Sequence, residues 1–122
     1  KGEAQAESNY YLAEFEFVQV KYEASNERIF WMIDNLPTYP QWRWKSLLLM
    51  AKNYAGLQDD FQANYTLDFI IENADFGTLA QEAQRFKAEL ALSRERESQM
   101  TFGVDSLKVE GSELEELEEI EE

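Results

Sequence analysis

Apolar residues recur at helical spacing in five stretches of this chain, which predicts an all-α protein. The first stretch covers about residues 4–20. It places four large apolar residues on one face, which we expect to pack in the core: Tyr11, Leu12, Phe15 and Val18.

Prolines and acidic residues mark the ends of the following helices. The second helix ends before Pro37, because proline lacks the N–H that continues the hydrogen-bond ladder. Pro40 suits the first position of the third helix, and Asp59 or Asp60 can cap the fourth. A fifth helix is predicted over about 78–97.

The chain also matches itself at a fixed offset of 38 residues. The matched positions pair Leu12–Ala13 with Met50–Ala51, Ser25 with Ala63, Ile29 with Leu67, Met32–Ile33 with Ile70–Ile71, and Asn35 with Asn73. Such offsets are typical of stacked helical hairpins. One hairpin cannot bury its apolar face alone, so function usually lies in the surface that the stack presents to a partner.

In its pattern of large, small and aromatic positions, the chain resembles the tetratricopeptide repeat family. The matching positions are Leu12–Ala13, Tyr22, Ser25, Ile29, Met32 and Pro37 in the first copy, and Met50–Ala51, Tyr54, Ala63, Leu67 and Ile70 in the second. The small residues at Ala13, Ser25, Ala51 and Ala63 let two helix backbones approach closely.

The chain departs from this family at two points. The offset is 38 residues, where the family has about 34. We assign the difference to a longer connection over Thr38–Trp44. Glu16 stands where an aromatic residue is expected, and HEAT-like or other hairpin repeats remain the alternative label.

The resemblance implies an α-solenoid, a stack of antiparallel helical hairpins. Its parts are two repeats over about 4–37 and 41–75, a C-terminal capping helix over about 78–97, and an acidic tail over 98–122. The acidic end and the Asn-Leu-Pro closure of the first repeat resemble the last repeats of bacterial cell-envelope proteins. We therefore expect the C-terminal end of a longer array.

The resemblance also implies a concave groove lined by the first helix of each repeat. Its groove-facing positions here are Glu7, Tyr10, Glu14 and Phe17, followed by Lys45, Leu48 and Lys52. Family members that clamp a terminal carboxylate use Asn and Lys where Glu7 and Glu14 stand, so we do not expect that ligand. The alternative is that these are solvated charges and aromatic residues at the edge of the core.

Three tryptophans form a second candidate surface, because exposed Trp is favoured as an interface anchor. Trp31 stands off the main apolar face of its helix, and Trp42 and Trp44 flank Arg43. The alternative is that the three pack against one another or against a neighbouring repeat.

Composition limits the chemistry that this chain can perform. It has no cysteine and no histidine, so the usual zinc, copper and haem sites and the Ser-His and Cys-His nucleophiles are excluded. Asp59–Asp60 is the only adjacent Asp pair, and a helix start explains it. We predict no catalytic residue, metal site or cofactor.

The net charge of −14 is concentrated near the C-terminus, because residues 98–122 hold nine acidic side chains and one basic one. This balance disfavours nucleic acid and anionic lipid as partners. No apolar run is long enough for direct membrane insertion. The tail is either a solubilising segment or a short helix whose Leu114, Leu117 and Ile120 dock in a groove near Lys45 and Lys52.

These features predict a non-enzymatic scaffold that binds a protein or peptide partner. The alternative is a structural capping fragment that forms a homo-oligomer through its acidic tail and has no separate ligand. A third possibility is a structural fragment whose concave face binds nothing.

Overall fold

The computed structural model describes the backbone of residues 2–121 and the side chains of residues 2–103. This part of the chain is all-α, with no strand. Its helices are α1 (Gly2–Val18), α2 (Tyr22–Asn35), α3 (Pro40–Gly56), α4 (Asp60–Asn73) and α5 (Leu79–Glu121). The chain divides into two compact units, Lys1–Lys87 and Ala88–Glu122.

The first four helices form two hairpins with the same element bounds. Both α1 and α3 have 17 residues, both α2 and α4 have 14, and every boundary in the second hairpin lies 38 residues after its counterpart. Within the first unit, α3 packs on α1, α2 and α4. The internal match predicted from the sequence is therefore also a match of secondary structure.

The turns inside the two hairpins are also equivalent. Val20 and Gln58, 38 residues apart, both have positive φ, at 65° and 63°. After α1, the Val20 N–H donates to the Phe17 carbonyl and the Lys21 N–H to the Glu16 carbonyl, each at 2.9 Å. This is the Schellman pattern that ends many helices, and the same bonds recur after α3.

The connection between the hairpins is shorter than we expected. Pro40 is at the start of α3, where its missing N–H costs nothing, so Trp42 and Trp44 are helical residues. The prediction of a longer connection over Thr38–Trp44 is wrong. Asp59, in contrast, caps α4 as predicted, since its Oδ1 accepts from the Gln62 N–H at 3.2 Å.

The small residues that the sequence places at helix crossings are fully buried. Ala13, Ser25, Ala51 and Ala63 have no exposed surface, and neither do the larger residues Ile29, Leu67 and Ile70. Side chains this small allow close helix contact, and a larger group at these positions would force the helices apart.

The predicted core face of α1 is wrong. Tyr11, Leu12, Phe15 and Val18 are all at least half exposed, and α1 instead buries its small residues Ala6, Asn9 and Ala13. The physical reason is helix spacing. The close approach of α1 to its neighbours requires short side chains between the backbones, so the large apolar residues lie on the opposite side.

Polar contacts also join the helices inside the first unit. Asn53, on α3, is fully buried and donates to Ser25 Oγ at 2.8 Å and to Asn26 Oδ1 at 3.0 Å, both on α2. Glu16, at the position where an aromatic residue was expected, forms an ion pair with Arg28 across α1 and α2.

The fifth helix begins where the sequence predicts but is longer. Its first turns contribute Leu79 and Ala83 to the core of the first unit. The helix then continues to Glu121, well beyond the predicted end near residue 97. Leu114, Leu117 and Ile120 have side chains outside the described residues, so their docking stays a prediction.

Candidate functional site

Tyr10 and Glu14 lie one turn apart on α1 and contact each other. The Tyr10 hydroxyl donates a hydrogen bond to Glu14 Oε2 at 2.9 Å. Burial, followed by the bond to the Glu14 carboxylate, raises the pKa of Tyr10 well above its ordinary value. The Tyr10 hydroxyl therefore stays a hydrogen-bond donor at neutral pH.

The Tyr10 ring meets α3 at Trp42. Their ring centroids are 5.9 Å apart, and the Lys45 Nζ lies 5.0 Å from the Trp42 ring centroid. An ammonium this close to an indole is attracted by the negative face of the ring. Tyr10, Trp42 and Lys45 thus form one continuous contact between α1 and α3.

A second lysine repeats this arrangement further along α3. Lys52 Nζ lies 5.8 Å from the ring centroid of Phe86 on α5. Both lysines are half-buried, so each charged group is held close to the protein surface. We call Tyr10, Glu14, Lys45, Lys52 and Phe86 the inner face.

Two other predicted groove residues take part in the core. Leu48 is only 8 % exposed and packs in the main apolar cluster, so its placement in an open groove is wrong. Because α3 has neighbours on three helices, most of its surface is covered. Phe17 is half-buried, packs against this cluster and lies 5.7 Å from the Tyr22 ring. Glu7 is exposed.

The three tryptophans have different surroundings. Trp42 is 6 % exposed and packs with Ala6 and Met32, so it cannot form part of an exposed patch. Trp44 is half-buried against the main cluster, with its ring 5.8 Å from that of Phe69. Trp31 is 45 % exposed.

Sequence reasoning missed the aromatic rings beneath the two lysines. Trp42 precedes Lys45 by three residues on one helix, a spacing that places both on the same side and that could have indicated the contact. Phe86 carried no such signal, because it meets Lys52 only through the packing of α5 on the first unit's helices.

The acidic side chains of the described part do not converge on a cation site. Among residues 2–103, no group of three or more carboxylates lies close enough together to hold a metal ion. No helix in the described part of the chain has both the length and the apolar character required to cross a bilayer.

Comparison with protein-family models, with curated proteins and with solved structures finds no match to this chain. The similarity to tetratricopeptide repeats therefore remains an interpretation of the sequence.

Proposed function

We propose that this protein is a non-enzymatic interaction scaffold that binds a peptide segment of a partner along the inner face. The observation that carries the proposal is the pair of lysines on α3, each held near an aromatic ring. Side chains restrained in this way lose less conformational entropy when a ligand binds than freely rotating lysines do.

The spacing of the two lysines suggests the chemistry of the ligand. Lys45 and Lys52 are seven residues apart on one helix, which separates them by roughly 10.5 Å along its axis. Acidic residues three apart in an extended segment span roughly 10 Å. The matching ligand therefore carries two carboxylates at that spacing, and an apolar residue that can contact the Tyr10 ring.

The two equivalent hairpins support the related proposal that the chain belongs to a stack of repeats similar to tetratricopeptide repeats. In such a stack, the first helix of each hairpin lines the binding surface. The inner face meets this requirement, because Tyr10 and Glu14 lie on α1 while both lysines lie on α3.

The test uses the full chain and a labelled extended peptide with one leucine and two glutamates three residues apart. Fluorescence anisotropy measures its affinity for the protein. Reversing both charges, with Lys45→Glu and Lys52→Glu, should weaken binding by about tenfold or more, since two attractions become repulsions. A peptide with glutamine in place of glutamate should bind as weakly.

The control variant carries Lys21→Glu and Arg96→Glu, which changes the net charge equally but leaves the inner face intact. It should bind the acidic peptide almost as well as the natural chain does. Equal weakening by both double variants would mean that only net charge matters, and the proposed site would be wrong.

A second candidate function is self-association through the acidic tail. It is favoured by the tail sequence, in which Glu113 and Glu116 are three residues apart and Leu114 lies between them. Light scattering of the full chain tests it. A dimer that dissociates in the variant with Lys45→Glu and Lys52→Glu would support this candidate, whereas a monomer at all concentrations would favour a separate partner.

A further inference from the structure

The outward side of α1 carries an apolar stripe. Tyr11 is 51 % exposed, Phe15 60 % and Val18 71 %, and Leu12 borders them at 50 %. Since the members are three or four residues apart, they lie along one side of the helix. We call these four residues the α1 stripe. A contiguous group of this kind indicates an interaction site more strongly than single exposed apolar residues do.

The internal repeat shows which kind of element packs at the equivalent positions of the second hairpin. The α3 residues that contact α2 are Trp42, Ser46, Asn53 and Gly56. The residues 38 positions earlier, on α1, are Ala4, Ser8, Phe15 and Val18. All four are exposed. The side of α1 that corresponds to a helix-packing side of α3 is therefore apolar and uncovered in the described part of the chain.

A groove beside the stripe extends this surface onto α2. It encloses about 590 Å³ between α1 and α2, and Leu12 and Trp31 contribute apolar walls. Met50, the equivalent of Leu12 in the second hairpin, is only 5 % exposed. The same position is thus covered by neighbouring helices in one hairpin and faces an open groove in the other.

Carboxylates surround the stripe. Helix α1 contains four glutamates and no lysine or arginine. Helical spacing places Glu3, Glu7 and Glu14 along one side of the stripe and Glu16 along the other. Glu27 of α2 lines the groove. Arg28 also lies there, but it is paired with Glu16. An acidic rim of this kind disfavours a second copy's identical face and favours a basic partner.

We propose that the α1 stripe and its groove bind an amphipathic helix of another protein, whose aliphatic row is flanked by lysine or arginine. The aliphatic row contacts Tyr11, Phe15 and Val18, in the way that α2 covers the equivalent positions of α3. The basic side chains meet Glu7 and Glu27. This site goes beyond the proposed scaffold function, because it uses different residues and the opposite ligand charge.

The test titrates the full chain into a labelled synthetic helix of leucine and lysine, about four turns long, with its leucines on one side. Fluorescence anisotropy reports binding. Phe15→Glu should weaken binding at least tenfold. Phe61→Glu is the matched control, because Phe61 is an exposed aromatic on α4, 77 % accessible. It should leave the affinity unchanged, as should the inner-face variant with Lys45→Glu and Lys52→Glu.

Three results would overturn the proposal. The first is equal binding by the Phe15→Glu variant and the natural chain. The second is equal binding of a matched peptide with glutamate in place of lysine, which would show that the rim charge selects nothing. The third is a dimer of the natural chain that Phe15→Glu converts to monomer, which would assign the stripe to a second copy. Retained circular dichroism of Phe15→Glu excludes unfolding as the cause of lost binding.

Discussion

Asn53 on α3 donates a hydrogen bond to Ser25 on α2 at 2.8 Å, and both side chains are fully buried. Ser25 in turn donates to the Ala13 carbonyl on α1 at 2.7 Å. Three helices from both hairpins are therefore joined by two consecutive hydrogen bonds in the core. Buried polar groups of this kind contribute most when every partner is present.

We expect Asn53→Ala to lower the free energy of unfolding by about 1–3 kcal/mol, because Asn26 Oδ1 loses its buried donor and a cavity is left. Urea denaturation measures the change. Asn73→Ala is the matched control, since Asn73 is exposed and bonds only within its own helix, to the Phe69 carbonyl. It should change stability by no more than about 0.5 kcal/mol. Equal losses would show that the buried network contributes nothing specific.

The raised pKa of Tyr10 predicts a loss of stability at alkaline pH. The folded state keeps the Tyr10 proton at a pH where the unfolded chain, with a pKa of about 10, has released it. The unfolded state then binds fewer protons, so the free energy of unfolding falls as pH rises above about 10. Burial is the main cause, and the Glu14 carboxylate adds to it.

Tyr10→Phe should remove part of this slope in urea unfolding curves recorded between neutral and alkaline pH. Tyr65→Phe is the control, because Tyr65 is 67 % exposed. Lysines also titrate in this range, but they are common to all three proteins and cancel in the comparison. Identical slopes for Tyr10→Phe and the natural chain would contradict the assignment.

Val20→Gly should stabilise the protein by about 1 kcal/mol. A β-branched residue at φ 65° is strained, whereas glycine adopts this conformation without a Cβ clash. Val20 is 67 % exposed, so few contacts are lost. Thermal unfolding measures the shift. Val18→Gly, at an exposed position inside α1, should instead destabilise, and a similar loss in both variants would rule out strain at Val20.

Much of the fold could be predicted from the sequence because its signals are local. Pro37, Pro40 and Asp59 indicate helix ends through backbone chemistry, and the 38-residue match identifies equivalent helices. The side of α1 that packs could not be derived in this way. Hydrophobic spacing favours the largest residues, such as Phe15, whereas close helix packing selects Ala6 and Ala13. The end of α5 was also missed, because the sequence beyond residue 97 has weak apolar periodicity.

The candidate site was predictable only where one helix carries the signal. Tyr10 and Glu14 are four residues apart on α1, so their contact follows from helical spacing. Lys45 and Lys52 were correctly assigned to α3, but the rings beside them were not identified. Leu48 was misassigned because burial on α3 depends on how many helices surround it, which residue spacing alone does not specify.

The shared bounds of the two hairpins make residues 2–39 an interchangeable unit in the genetic sense. A duplication or deletion of 38 codons would keep every helix start, turn and cap in phase, whereas any other length change would place a turn inside a helix. Homologous chains would then differ in length by whole hairpins, and each added hairpin would move the two ends of the protein further apart without requiring a new kind of helix contact.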